Sequence, residues 1–546
     1  MPKPVPDLRT NVVPLEVHKY SNIQGLQEQA QKHWGLRRIQ PFFPSIEKLF
    51  KLDTVRMPYH YGIRSRNPIQ TITGEHTIFS GGQEVRVHLK KTMLYPSYRV
   101  MRGEFATTGL PNKEDVMSAP LPLQSAHNAA YVGSLACLVL SESGCQHFPA
   151  VYGVFSGIEE KHIEDISDDY EDLCDRPWFS GNIGHFFDLR LRKPDAPVLE
   201  LTDPADNEHI DLGAQDIDAP EVQVAAARPP ELEDYEADNE GESGGDDAES
   251  NCSTDYIFEI HSCSTESEDD DEEDEDDDEG TAFGDGEDEE GFAYAMFHDC
   301  PVQVTVMEAC DGTFYKLFKE NPELNKRCAW LAQVIFALTY AQRTFGLVHN
   351  DLHVMNVMYV DTPREYLYYN VGGKTYRVPT FGKLIKIIDF DRATFSVKLA
   401  KMRESKFFMS DQFQLDEEAG GQYNVDPFYN SKYPEIKPNA SFDLVRLATS
   451  IFWDCFPDGP SKELNGNPLY EILIRWLTLP DGTSILFRNP NDEDYSERYR
   501  GFHLYKAIAK YCRDTAVPRK QIDKFGSVYL YTEKVPQGAN ILFIEP

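Results

Sequence analysis

The sequence predicts an α+β fold, strand-rich at first and helix-rich later, broken by a disordered acidic insertion. Three observations carry this expectation. Short runs with period-two alternation fill the region from Ile69 to Phe155 and return at Val302, Val304 and Val306. Beyond residue 324 the apolar residues recur at helical spacing instead, as in Leu324, Leu331, Val334, Ile335 and Leu338. Between these regions, residues 195–290 collapse into Asp, Glu, Gly, Ser and Ala, with 39 acids and one base, Arg228. Such a segment buries too little apolar surface to offset its chain entropy, so disorder is expected there.

In chain order, residues 1–50 offer an amphipathic stretch near Ile23–Trp34, then Pro41 and Pro44. Thr71, Thr73, Thr77 and Phe79 precede Ser80-Gly81-Gly82, and Val85, Val87 and Leu89 alternate with Arg86 and His88. That pattern predicts a hairpin ending on Lys90-Lys91. Residues 127–142 read as a helix and Phe148–Phe155 as a strand; Trp178, Phe179, Phe186, Phe187 and Leu189 give 159–194 enough apolar surface to pack. The strand at Val302–Val306 runs into 307–313, where Asp311-Gly312 suggests a turn. Asn321-Pro322 predicts a helix cap with proline in the first turn, opening a long helix. Tyr366–Tyr369, the Gly372-Gly373 turn and Tyr376–Val378 then suggest another strand pair. Leu447, Ile451, Phe452, Trp453, Leu469, Ile472, Leu473 and Trp476 suggest further helices, and Val528–Tyr531 and Ile541–Ile544 two final strands.

The formal net charge of −38 is a property of the insertion, because the rest of the chain balances 52 bases against 52 acids. Nothing in this pattern indicates nucleic-acid binding. The ten cysteines contain no CxxC pair, which suits a reducing compartment and gives no reason to expect zinc. Residues 1–20, with Pro2, Pro4, Pro6 and Asp7, lack the basic start and apolar core of a secretory signal. The longest apolar stretches, 129–140 and 329–341, are too short to span a bilayer, so a soluble intracellular protein is expected.

Two stretches carry chemistry. Residues 346–359 contain His349-Asn350-Asp351-Leu352-His353-Val354-Met355-Asn356, an H-x-D-x-x-x-x-N pattern, and Leu384–Ile388 is an apolar run ending in Asp389-Phe390-Asp391. Each pattern alone is common by chance, but here order, spacing and flanking strands agree. The pair resembles the catalytic core of the protein-kinase superfamily. Asp-Leu-His, the strand-Gly-strand-Pro insertion that follows it, and Asp391 as third residue of the metal loop look like haspin-type kinases and the haspin-like kinases of large DNA viruses. The resemblance is strongest over 345–396 and weaker over 80–155 and 300–455.

The resemblance implies a bilobal protein-kinase-like fold with a small β-rich lobe and an α-rich large lobe. Its parts would be an N-terminal extension at 1–69, a small lobe at 70–194 and 291–307, the disordered insertion at 195–290, and a hinge, large lobe and C-terminal extension at 308–546. The implied activity is ATP-dependent Ser/Thr protein phosphorylation, with ATP and Mg²⁺ as cofactors and a protein, possibly basic, as substrate. Asp351 would be the base, His353 an auxiliary group, Asn356 and Asp389 the metal ligands. Lys90 or Lys91 would contact phosphate, and backbone groups near Glu308 and Cys310 would meet adenine. Asp443, in Ser441-Phe442-Asp443-Leu444, would cap the catalytic loop from beneath, and Ser410–Tyr429 would be the activation segment. A viral protein of this kind would work in host cytoplasm or virion.

The departures are a missing Gly-rich phosphate loop, no acid in the middle of the 127–142 helix, His353 in place of lysine and Asp391 in place of glycine. They keep two alternatives open, a pseudokinase scaffold and a small-molecule phosphotransferase. The insertion reads as a solvated spacer, as a lure for basic substrates or as a nucleic-acid mimic, and Ser267, before Glu268-Asp269-Asp270, as a site for an acid-directed kinase.

Overall fold

A computed structural model of the chain describes residues 17–20, 22–41, 61–63, 65–105, 109–110, 125, 127–167, 170–192, 292–397, 405–488, 497–499 and 501–545. The predicted acidic insertion, Ser267 included, lies outside the described residues. One compact unit comprises residues 1–190 and 294–546, and a second spans 191–293, nearly all of it undescribed.

The fold is mixed α+β. Its largest sheet has seven strands: β1 (Leu36–Gln40), β2 (Ile69–Ile72), β3 (Thr77–Ser80), β4 (Gln83–Met93), β5 (Val151–Asp165), β6 (Asp188–Arg192) and β7 (Phe292–Glu308). Their order is β1-β5-β7-β4-β3-β2, with β6 also on β7, and the sheet curls into an antiparallel half-barrel. The predicted hairpin is β3–β4, turning on Gly81 and Gly82, both at positive φ as glycine allows. Strand β4 lies along β7, with Lys90 opposite Thr305 and Lys91 opposite Val304.

Residues 36–40 thus belong to this sheet, although the sequence suggested only an extension there. The amphipathic stretch is helix α1 (Ile23–Trp34), which buries Leu26, Ala30 and Trp34 and ends on Gly35 in the left-handed region. Helix α2 (Ala129–Glu142) starts where the Asn128 side chain accepts from Ala130 N–H, and every residue from Ala130 to Leu140 is buried.

After β7 come β8 (Gly312–Thr313), α3 (Phe314–Glu320) and the long α4 (Leu324–Phe345). The cap predicted at Asn321-Pro322 is displaced: Asn321 closes α3, its Nδ2 donating to Leu317 O, and Glu323 is the N-cap of α4. Strands β8, β9 (Val357–Asp361) and β12 (Lys383–Ile387) form a three-stranded sheet. Strands β10 (Tyr366–Val371) and β11 (Lys374–Pro379) pair as predicted, and β13 (Ile541–Ile544) joins them, parallel to β10. Helices α5 (Phe442–Cys455), α6 (Pro468–Leu477), α7 (Phe502–Tyr511) and α8 (Pro518–Lys524) complete the helix-rich part. Residues 526–529 form a 3₁₀ turn, not the strand expected at 528–531, because Phe525 already has helical backbone angles and the turn continues from α8.

Candidate active site

The loop between α4 and β9 is held from two sides. Helix α4 stops at Gly346, in the left-handed region at φ 59°, and Val348 then bridges to Thr394. Asp443, wholly buried in the first turn of α5, accepts from the backbone N–H of His349 and of Asn350, each at 3.0 Å. Burial nevertheless pushes its carboxyl up to about 7. Asn350 sits at φ 67°, and its side chain donates to Arg392 O at 2.8 Å and accepts from Tyr423 OH at 2.6 Å. These bonds fix a non-glycine residue in a region it seldom adopts.

Asp351 is therefore presented on a rigid turn. Its Oδ1 accepts from Tyr505 OH at 2.7 Å and its Oδ2 lies 3.9 Å from Arg392 Nη1. Burial alone would raise the Asp351 pKa, but Arg392, His353 and Tyr505 outweigh it and hold the carboxyl below its ordinary value. An ionised, oriented carboxylate results. Asn356 donates from Nδ2 to Asp351 O at 2.9 Å and lies 3.0 Å from His353 Nε2. Its Oδ1 has no hydrogen-bond partner among the described residues. Burial lowers the His353 pKa, and its Nδ1 accepts from Met355 N–H at 3.3 Å while Nε2 faces the Asn356 amide.

Strand β12 delivers Asp389 to the same place. Ile388 N–H donates to Asn356 O at 3.0 Å, and His349 Nε2–H donates to Ile388 O at 2.7 Å. Asp389 has φ 64°, and its Oδ1 accepts from Lys90 Nζ at 2.6 Å; Asp391 Oδ1 lies 2.9 Å from the same nitrogen. Partial desolvation favours a neutral Asp389, but the Lys90 ammonium outweighs it and holds the carboxyl below its ordinary value. Asp391 is raised, first by desolvation and then by Asp389, and both acids outweigh desolvation to hold Lys90 above its ordinary value.

The two lysines left open by the sequence separate clearly. Alternation along β4 turns Lys91 the other way, where it pairs with Glu159, itself bonded to His162 at 2.8 Å. Glu308 and Cys310 are not brought to the Lys90–Asp389 cluster by any described contact. The Glu308 N–H donates to Ala150 O at 2.8 Å, and its carboxylate pairs at 2.8 Å with buried Lys386. Cys310 follows at the strand end, its thiol pushed up to about 12 by burial, and its backbone N–H has no partner among the described residues.

No cluster of three or more His, Cys, Asp or Glu capable of holding a metal occurs among the described residues. What the site offers is two hard oxygen donors, Asn356 Oδ1 and the Asp389 carboxylate, whose side chain is 42% exposed. That set fits a Mg²⁺ ion completed by water and phosphate oxygens. Three contributors carried no local signal: Tyr505 lies 154 residues from Asp351 in sequence, Arg392 resembles any charged residue, and Lys386 is hidden in an apolar strand.

No protein-family model matches the chain. The chain is similar to the uncharacterized protein ZK177.2 of Caenorhabditis elegans, with 33% identity over 69 residues. Those residues are 12% of this chain and 23% of the length of that protein. No helix among the described residues is long and apolar enough to cross a membrane.

Proposed function

We infer that the chain is an ATP- and Mg²⁺-dependent Ser/Thr protein kinase of haspin-like type, with a bilobal kinase-like fold whose small lobe holds the seven-stranded sheet. The observation that carries this reading is the contact of Lys90 with Asp389 across 299 residues of sequence, beside a loop presenting ionised Asp351. Three roles then fall on three separate elements, as phosphoryl transfer requires.

Asp351 orients an acceptor hydroxyl and takes its proton, the ionised state being held by Arg392 and Tyr505. Asn356 Oδ1 and Asp389 would hold Mg²⁺, which would neutralise charge on the phosphates of bound ATP. Lys90 contacts those phosphates as a point charge. His353 lies beside the Asn356 amide as an auxiliary group, and Asp443 keeps the loop in shape. Residues 309–310 line the adenine edge, where the Cys310 N–H is the available donor. A basic protein is the substrate class that suits the net charge of −38.

A second reading, a kinase-like scaffold without turnover, draws on Tyr505 OH, which already sits on Asp351 Oδ1 at 2.7 Å. Phosphorylation of a basic protein and of small-molecule acceptors with Mg·ATP, comparing wild type with Asp351→Asn and Asp389→Asn, separates the two. Transfer to protein that both substitutions abolish supports the kinase. Wild-type transfer no greater than that of the variants supports the scaffold.

A further inference from the structure

Lys90 meets two carboxylates, and their commitments differ. Asp389, 2.6 Å from Nζ, is the proposed metal ligand, so a lysine anchored there alone would share its partner with the incoming cation. Asp391, 2.9 Å from Nζ, has no such duty. Its other oxygen accepts from Thr92 Oγ1 at 3.3 Å, and the side chain is 19% exposed. Thr92 is two residues beyond Lys90 on β4 and therefore on the same face. Strand β4 thus grips Asp391 at both oxygens.

Helix α2 packs over this point and brings no acid to it. Between Ala129 and Ser141 it contains neither Asp nor Glu, and Glu142, at its end, accepts from Arg66 N–H instead. What α2 brings is Gly133. A Cβ on Gly133 would stand 1.9 Å from Asp391 Oδ1 and 2.9 Å from its carboxyl carbon. The helical backbone there needs no glycine for its φ, and glycine is a poorer helix former than alanine, so its service is room. Room is what Asp391 uses.

Resting on the kinase reading, the geometry points to Asp391 as the positioning residue of the phosphate lysine: the carboxylate that sets Lys90 comes from the loop after the metal aspartate, and α2 is thinned to glycine to admit it. The absence of a mid-helix acid is then a relocation, and the third residue of Asp389-Phe390-Asp391 is its destination. Lys90 stays aimed whether or not Asp389 is occupied by a cation.

The test exchanges the two positions in the full chain. Mg·ADP affinity by isothermal titration calorimetry, melting temperature, and kcat and KM for ATP are measured for wild type, D391N, D391G, G133E and G133E/D391G, with D351N as the control for transfer. D391N and D391G weaken Mg·ADP binding and lower kcat/KM for ATP by about tenfold or more, the scale of one lost charge-assisted hydrogen bond. G133E alone clashes with Asp391 and lowers the melting temperature. The double variant, with a carboxylate returned from the helix side, regains affinity and kcat/KM to within about threefold of wild type. A D391G protein that melts and binds Mg·ADP as wild type does overturns the positioning role alone. If a single variant folds poorly, the double variant decides: recovered stability and affinity support the role, and recovered stability without affinity refutes it. A wild type that binds no Mg·ADP and transfers no phosphate above D351N sinks the kinase reading, and the assignment of Asp391 with it.

Discussion

Acidification should loosen the strand that carries Asp389, through one buried histidine. His147 is completely buried between α2 and β5, with Nδ1 2.8 Å from Ile385 O and Nε2 2.8 Å from Tyr369 OH. A carbonyl only accepts, so Nδ1 carries the proton and Nε2 accepts from the tyrosine. His147 O in turn accepts from Ile387 N–H at 2.9 Å, which ties the segment to β12 at two points. Burial lowers the His147 pKa from 6.5 to about 4. Because the folded value is depressed, the unfolded chain binds a proton first as pH falls. The stability from keeping this ring neutral is therefore present above pH 6.5 and is lost as pH drops toward 4. A shift of that size corresponds to about 3 kcal/mol. Buried Asp411 and Asp443, both raised to about 7 by burial, change stability with the opposite sign, so only a difference isolates the histidine. Urea unfolding of wild type and His147→Gln between pH 7 and 4 provides it. The wild type should lose about 3 kcal/mol of its advantage over the variant across that range. Parallel stability curves would refute the reasoning.

On the proposed kinase reading, Tyr505→Phe, which removes the hydroxyl from Asp351 Oδ1 and with it a charge-assisted bond, should slow phosphoryl transfer by about tenfold or more. The acidic limb of the pH–rate profile should move to higher pH, since Tyr505 is one of the groups that lower the Asp351 pKa; superimposable profiles would exclude that role. Lys386→Met leaves the Glu308 carboxylate with the Ala150 N–H at 3.2 Å and no cation, and thermal unfolding should register a loss of about 3 kcal/mol. Adding Glu308→Gln to that variant should return part of the loss, because the amide carries no charge to desolvate.

Periodicity made much of this architecture readable. In the β3–β4 hairpin Val85, Val87 and Leu89 alternate with Arg86 and His88, and α4 repeats its apolar residues at helical spacing, so each announced its own type. Boundaries fared worse: Asn321-Pro322 has the composition of a cap, but Asn321 ends α3 and the next helix waits for Leu324. The Val528–Tyr531 run has β-branched and aromatic residues, yet its backbone follows from the helical turn before it. Lys90 and Lys91 are alike in isolation, and only their partners tell them apart: Asp389 and Asp391 on one face of β4, Glu159 on the other. The family resemblance singled out Asp351, Asn356, Asp389 and Asp443, and the fold brings the loops that carry them together; nothing comparable marked Tyr505 or Gly133. Each of those two owes its place to a neighbour far away in sequence, and such pairings leave no local trace.

The parallel pairing of β13 with β10 joins Tyr368–Val371 to Ile541–Ile544, a connection closed over some 170 residues. During synthesis the β10–β11 ribbon emerges long before its third strand, and its open edge faces solvent, chaperones and other nascent chains meanwhile. A fragment ending before residue 541 would keep that edge permanently. Truncations meant to isolate the helix-rich part are thus candidates for self-association, and the sheet beside the Asp389 strand is completed only once residue 544 has been made.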